Sequence, residues 1–246
     1  MMPSCSPTRI ALCTGYSTDY PAGYVAGAVN EAYAACHGYD WRCDVMDTDA
    51  MAVECGGLHA LPWFKIQMLR RVMAESEPDP ESPGQRLSRP RFTHVVWIDS
   101  DAVVVVPEES IDSIIHEANK PTPDNYDRKG DGKGKATTGR AKPFDVIIAE
   151  DMSSAALINS GVVVYSNTVW SRRLLASLWD TNIVKGRVHM EKKFWEQTAL
   201  EKMLRKSYVS SKSKAKKGES DGGEEDGQDE DDDATASLSD PTLFAS

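Results

Sequence analysis

Residues 93–106 read Thr-His-Val-Val-Trp-Ile-Asp-Ser-Asp-Ala-Val-Val-Val-Val, the most apolar stretch of the chain, with two aspartates at its middle. A run of β-branched and aromatic residues predicts a strand buried on both faces, as in the centre of a parallel sheet. Asp99 then sits at the edge of that strand, where an unpaired charge costs several kcal/mol. A divalent cation would offset that cost, because carboxylate, water and phosphate oxygens are the ligands that Mg2+ or Mn2+ prefers. Side chains alternate along a strand, so Asp99 and Asp101 are expected to face one site with Ser100 turned away. The valines at 103–106 are expected to return the chain to the core.

Strands and helices alternate around this motif. Arg9 to Tyr16 is a short apolar run ending in a Gly-Tyr-Ser-Thr turn, and reads as a first strand feeding a loop. Ala22 to His37 has apolar residues at helical spacing behind Pro21 and stops at Gly38, and Trp41 to Asp47 reads as the next strand. Pro62 opens a helix over Trp63 to Ala74, and three prolines at 78, 80 and 83 enforce a loop after it. A helix is expected over Glu109 to Asn119, strands over Phe144 to Ala149 and Gly161 to Tyr165, a Thr-capped helix over Thr168 to Thr181, and a last helix over Met190 to Lys206. This order implies an α/β layered domain over residues 1–208 with a mainly parallel sheet, whose ligands bind at the C-terminal ends of the strands. Trp170, Leu174, Leu178 and Trp195 are assigned to its core.

Two segments fall outside that pattern. Residues 121–143 are rich in Gly, Lys, Asp and Pro without apolar periodicity and read as a disordered insertion, and residues 209–246 read as a disordered acidic tail. The tail holds four lysines against eleven acids and so carries most of the formal net charge of −10. A nearly neutral body without a basic face excludes nucleic acid as the main partner. The five cysteines form no C-x-x-C pair, which argues against both a zinc site and a complete disulfide framework. No run approaches the ~20 apolar residues of a membrane span, and no signal or anchor is read. His59, His94, His116 and His189 lack ligand spacing and are treated as structural or surface.

The aspartates alone leave alternatives open. They suit a turn or helix cap. They also suit a phosphatase of the haloacid-dehalogenase type, with the first Asp as nucleophile, although that motif resembles a first-strand feature and here two strand–helix units precede it.

Four segments in order add to this: Pro62-Trp63-x-Lys65-Ile66, Trp97-Ile98-Asp99-Ser100-Asp101-Ala102, Ile158-Asn159-Ser160-Gly161 followed by Ser166-Asn167-x-x-Trp170-Ser171, and Glu196-Gln197-x-Ala199-Leu200. Together, across residues 9–206, the chain resembles GT-A fold glycosyltransferases, most closely the galactosyl/xylosyltransferase family, glycosyltransferase family 34. The resemblance implies a Rossmann-type α/β/α domain that moves a sugar, with retention, from a UDP-sugar to a saccharide or glycoprotein acceptor with Mn2+ or Mg2+, in the Golgi or another secretory compartment. It implies Asp99 and Asp101 as metal residues. Thr14, Gly15, Tyr16, Lys65, Asp99, Ser100, Ser160 and Gly161 are implied around the donor, and Asn159, Glu196 and Gln197 near the transferred carbon. From the residues alone, Lys65 also reads as a solvated helix side chain, Asn159-Ser160-Gly161 as a turn entering a strand, and Glu196 and Gln197 as exposed helix positions. Relatives carry a downstream histidine that completes the metal shell, and the sequence after Tyr208 holds none. That leaves a truncated copy, a site of carboxylates, water and nucleotide, or an inactive GT-A-like domain whose tail recruits partners.

Overall fold

A computed structural model of the chain describes residues 8–56, 61–78, 88–120, 143–151, 158–181 and 195–205. The elements run β1 (Ile10–Ser17), α1 (Pro21–His37), β2 (Asp40–Met46), α2 (Thr48–Glu54), α3 (Phe64–Ala74), β3 (Ser76–Pro78), β4 (Ser88–Pro90), β5 (His94–Ile98), α4 (Ile111–Ala118), β6 (Val146–Glu150), β7 (Ile158–Ser166) and α5 (Val169–Trp179). Residues 195–205 form a further helix, α6. A 3-10 turn over Leu61–Trp63 leads into α3. The tail, all but the last residue of the 121–143 insertion, and residues 190–194 and 206 of the expected last helix lie outside the described residues.

The main sheet has the order β2-β1-β5-β7-β6. β2, β1 and β5 are parallel, β7 runs against β5, and β6 runs against β7. All the strands but β7 therefore point one way, as expected of a mainly parallel sheet. Period-two alternation divides their side chains between two helical layers. Ala11, Cys13, Val95, Trp97, Val163 and Tyr165 pack with Phe64, Leu69, Leu174 and Leu178 of α3 and α5 and with Leu200 of α6. Ile10, Leu12, Val96, Ile98 and Val164 face the opposite way, against Tyr33 and Ala34 of α1 and Ile111 and Ile115 of α4. The result is an α/β/α sandwich.

Local chemistry explains the boundaries. α1 starts at Pro21, where a missing N–H costs nothing, and ends at Gly38, whose φ of 70° suits glycine. Side chains cap three other helices: Asp47 accepts from the Ala50 amide, Ser110 from Ser113 and Thr168 from Ser171. Inside α1, a Cβ on Gly23 would lie 2.4 Å from Cγ of Tyr16, so the bare backbone is what lets that ring rest on the helix. Gly23→Ala is therefore expected to cost about 1–3 kcal/mol by overpacking, visible as a lower denaturation midpoint.

Three readings need correction. Residues 103–106 do not re-enter the core: the β5 ladder ends at Ile98, and Val103, Val105 and Val106 are exposed. Only Ala102 and Val104 pack inward, held by the buried Asn30, whose amide donates to the Ala102 carbonyl at 2.8 Å and accepts from the Val104 amide at 3.1 Å. Asn159-Ser160-Gly161 is no turn but part of β7, which starts at Ile158. Trp195, expected in the core, is 38% exposed, whereas Leu174 and Leu178 are fully buried. Cys13, Cys36, Cys43 and Cys55 are free thiols.

His94 opens β5 with its Nδ1 3.1 Å from the Thr93 hydroxyl. Burial lowers its pKa below 6.5, against the pull of Asp112. The folded-state pKa is thus below the unfolded one, so the neutral ring's contribution is complete above pH 6.5 and is lost as pH falls through the lower folded value. His94→Gln is expected to flatten the fall in stability below pH 6.5, read from denaturant midpoints against pH.

Candidate functional site

The chain leaves β1 toward β2 on one side and later returns to β5 on the other, which opens a crevice at the C-terminal ends of β1 and β5. A cavity of about 580 Å³ occupies it. Gly15, Tyr16, Ser17 and Tyr20 form one wall, and Met51, Leu61, Pro62, Phe64 and Lys65 form another. Trp97, Asp99, Ser100 and Asp101 come from the end of β5, Ser160 from β7, and Trp195, Glu196 and Gln197 from α6. Gly15 is required here, because a Cβ would come within 2.5 Å of the Phe64 ring.

The aspartate motif is a turn rather than extended strand. The Asp99 amide donates to the Gly161 carbonyl at 2.7 Å, the last rung beside β7, and the Ala102 amide donates back to the Asp99 carbonyl at 3.0 Å. The turn brings Ser100 to the cavity together with both aspartates, so it is not turned away as alternation suggests. Oδ1 of Asp99 accepts from the Trp97 indole at 2.5 Å and lies 3.0 Å from Nζ of Lys65. Its Oδ2 lies over Gly161, where a Cβ would approach to 3.2 Å. Gly161 thus makes room for the Asp99 carboxylate. Asp101 is exposed, and the Tyr20 hydroxyl donates to its Oδ2 at a long 3.5 Å. Burial and then the Asp101 charge raise the Tyr20 pKa. Tyr16 is 7% exposed, with its pKa pushed up to about 12, chiefly by burial.

Lys65 is not a solvated side chain. It is 4% exposed, and its ammonium donates to Oε1 of Glu196 at 2.9 Å, to the Ser160 carbonyl at 2.9 Å and to the Ser160 hydroxyl at 3.3 Å, besides its pairing with Asp99. Burial acts to lower its pKa, but the charges of Glu196 and Asp99 outweigh burial and the pKa ends above its ordinary value. Glu196 and Gln197 are not exposed helix positions. Glu196 is 6% exposed and accepts from the Ser160 hydroxyl at 3.1 Å, while Oε1 of Gln197 accepts from the Ser160 amide at 2.9 Å.

Three expected residues do not line the cavity. Thr14 is 1% exposed, its hydroxyl buried without a partner among the described residues, because inward and outward positions alternate along β1. Asn159 is exposed and accepts from the Gly161 amide at 2.8 Å, and Gly161 lies beneath Asp99. Tyr20 and Met51 line the cavity without having been read from sequence, and Trp97, quoted only as part of the aspartate segment, lines it too, the aromatic two residues before Asp99 having been a usable signal.

Among the described residues no group of three or more His, Cys, Asp or Glu side chains could hold a metal. The two aspartates nonetheless fit an oxygen-seeking cation that takes its other ligands from water and phosphate, since Oδ2 of Asp99 has no partner among the described residues and Asp101 has only the long Tyr20 contact.

The fold is similar to that of a glycosyltransferase involved in the glycosylation of the major capsid of PBCV-1, at 14% identity and a TM-score of 0.47 over 78% of this chain and 73% of that one. No curated protein matches the chain. The sequence model of the galactosyl transferase GMA12/MNN10 family matches residues 29–215, a span that holds the aspartate turn, Lys65, Ser160, Glu196 and Gln197 but not β1. The chain belongs to this family and is a glycosyltransferase.

Proposed function

We propose that the enzyme takes its sugar from a UDP-linked donor and passes it to a saccharide or glycoconjugate acceptor, with retention of configuration and with the help of Mn2+ or Mg2+. The observation that carries this reading is the pair of carboxylates, Asp99 and Asp101, presented by a tight turn into the crevice between β1 and β5. That is where open α/β sheets hold nucleotides. Gly15 to Ser17 and Tyr20 supply a wall for base and ribose. Asp101 and the outer oxygen of Asp99 would hold a cation, which would supply positive charge beside the departing diphosphate.

On the sugar side, Ser160 is fixed by Glu196 and Gln197. Gln197 spends its carbonyl oxygen on the Ser160 amide and hydroxyl, and its amide nitrogen has no partner among the described residues, so it is the uncommitted donor for a sugar oxygen. Retention rests on the resemblance of the four sequence segments to retaining enzymes. A Golgi or other secretory setting is part of the same proposal and rests on resemblance to the family, and no helix of the described residues is long and apolar enough to cross a membrane.

The test is release of UDP from a panel of UDP-sugars, with and without simple saccharide acceptors, in Mn2+ and in excess chelator. Acceptor-stimulated, chelator-sensitive release from at least one donor is expected. No release from any UDP-sugar, with turnover of another nucleotide sugar, would refute the UDP assignment.

A further inference from the structure

We propose that Lys65 is a positioning residue, which holds Asp99 and helix α6 around the cavity and gives none of its protons to the donor diphosphate. This rests on the UDP-sugar reading of the cavity. A lysine at the edge of a nucleotide crevice invites assignment as a phosphate ligand, but the geometry assigns its protons elsewhere. An ammonium has three protons. Within 3.3 Å of Nζ stand four protein acceptors: Oε1 of Glu196, Oδ1 of Asp99, and the carbonyl and hydroxyl oxygens of Ser160.

Those acceptors come from three different walls. Asp99 directly follows β5, Ser160 lies in β7 and Glu196 is in the first turn of α6, while Lys65 itself is in the first turn of α3, behind the buried Trp63. One side chain thus ties four elements together, and its ammonium lies 5.6 Å from the centre of the Trp97 ring, whose indole N–H fixes the same Asp99 oxygen. A phosphate recruiting Lys65 would have to displace one of these contacts, and displacing Glu196 would be the costliest. Glu196 has 8% of its side chain exposed and would be left buried with its charge unmatched. The diphosphate would be better served by a cation held at Asp101.

The test compares the wild type with Lys65→Met/Glu196→Gln, which removes both charges of the buried pair together, and with Glu196→Gln alone, which keeps the ammonium on Asp99. Binding of UDP and of UMP is measured in Mn2+, together with amide hydrogen exchange over residues 195–205 and the Trp97 indole N–H resonance. In the double variant the ratio of UDP to UMP affinity is expected to stay within about threefold of wild type, while amides of α6 exchange about tenfold faster or more and the indole resonance moves. In Glu196→Gln, α6 is expected to exchange faster with the indole resonance in place. Loss of the UDP-over-UMP preference by about tenfold in the double variant would make Lys65 a phosphate ligand and overturn the proposal. So would unchanged exchange and an unchanged indole signal in both variants. If the wild type binds neither UDP nor UMP, the donor reading falls, and exchange and the indole signal still decide whether Lys65 positions the site.

Discussion

Replacing Lys65 by methionine is expected to destabilise the protein by about 3–5 kcal/mol, the usual result of removing one partner from a buried ion pair. Among the described residues Glu196, 6% exposed, would keep only the Ser160 hydroxyl, and the Ser160 carbonyl would lose its charged donor. For a domain of this size the loss corresponds to a melting temperature lower by about 10 °C or more. Lys65→Met/Glu196→Gln should recover much of it, since a neutral amide beside an apolar chain leaves no orphaned charge, and the two changes should therefore be strongly non-additive. Thermal melts of the three variants measure this. Additive losses would mean that the ammonium and the Glu196 carboxylate do not depend on each other.

Asp101→Ala is expected to behave in the opposite way, leaving stability within about 0.5 kcal/mol of wild type and removing metal-linked donor binding. Asp101 is exposed, and its contact from Tyr20 at 3.5 Å is too long to contribute much. Asp99→Ala lacks that separation, because the Trp97 indole and Lys65 both spend donors on Asp99. It should lose stability as well as binding, by about 1–3 kcal/mol for the donors left unmatched. Comparing melting temperature with UDP affinity in the two variants therefore separates an aspartate that only binds from one that also holds the cavity together.

Much of this was legible in the sequence because the signals are local. Pro21 and Gly38 bound α1, Thr168 caps α5, and the apolar run before Asp99 marks a central strand. The valines at 103–106 misled because β-branched residues indicate a strand only where a ladder partner exists, and β5 has none beyond Ile98. The segment is tied down instead by Asn30, far away in sequence, which no local pattern announces. The same limit applied at the site. An uncompensated charge at Asp99 argued for a cation, but Lys65 supplies the nearest positive charge. That pairing depends on α3 packing behind β1 and β5, so from the residues alone Lys65 read as an ordinary surface lysine, and only the resemblance placed it at the donor. A cation would be held instead by Asp101 and the open oxygen of Asp99.

The aspartate turn is proposed to present a metal-assisted site for a nucleoside diphosphate. Calorimetric titration of the full chain with UDP, in Mn2+ and then in excess chelator, for the wild type and for Asp101→Ala, tests it most directly. Binding that needs Mn2+ and falls at least about tenfold in the folded Asp101→Ala protein is the predicted result. UDP binding equally strong in chelator, or unchanged in Asp101→Ala, would contradict it.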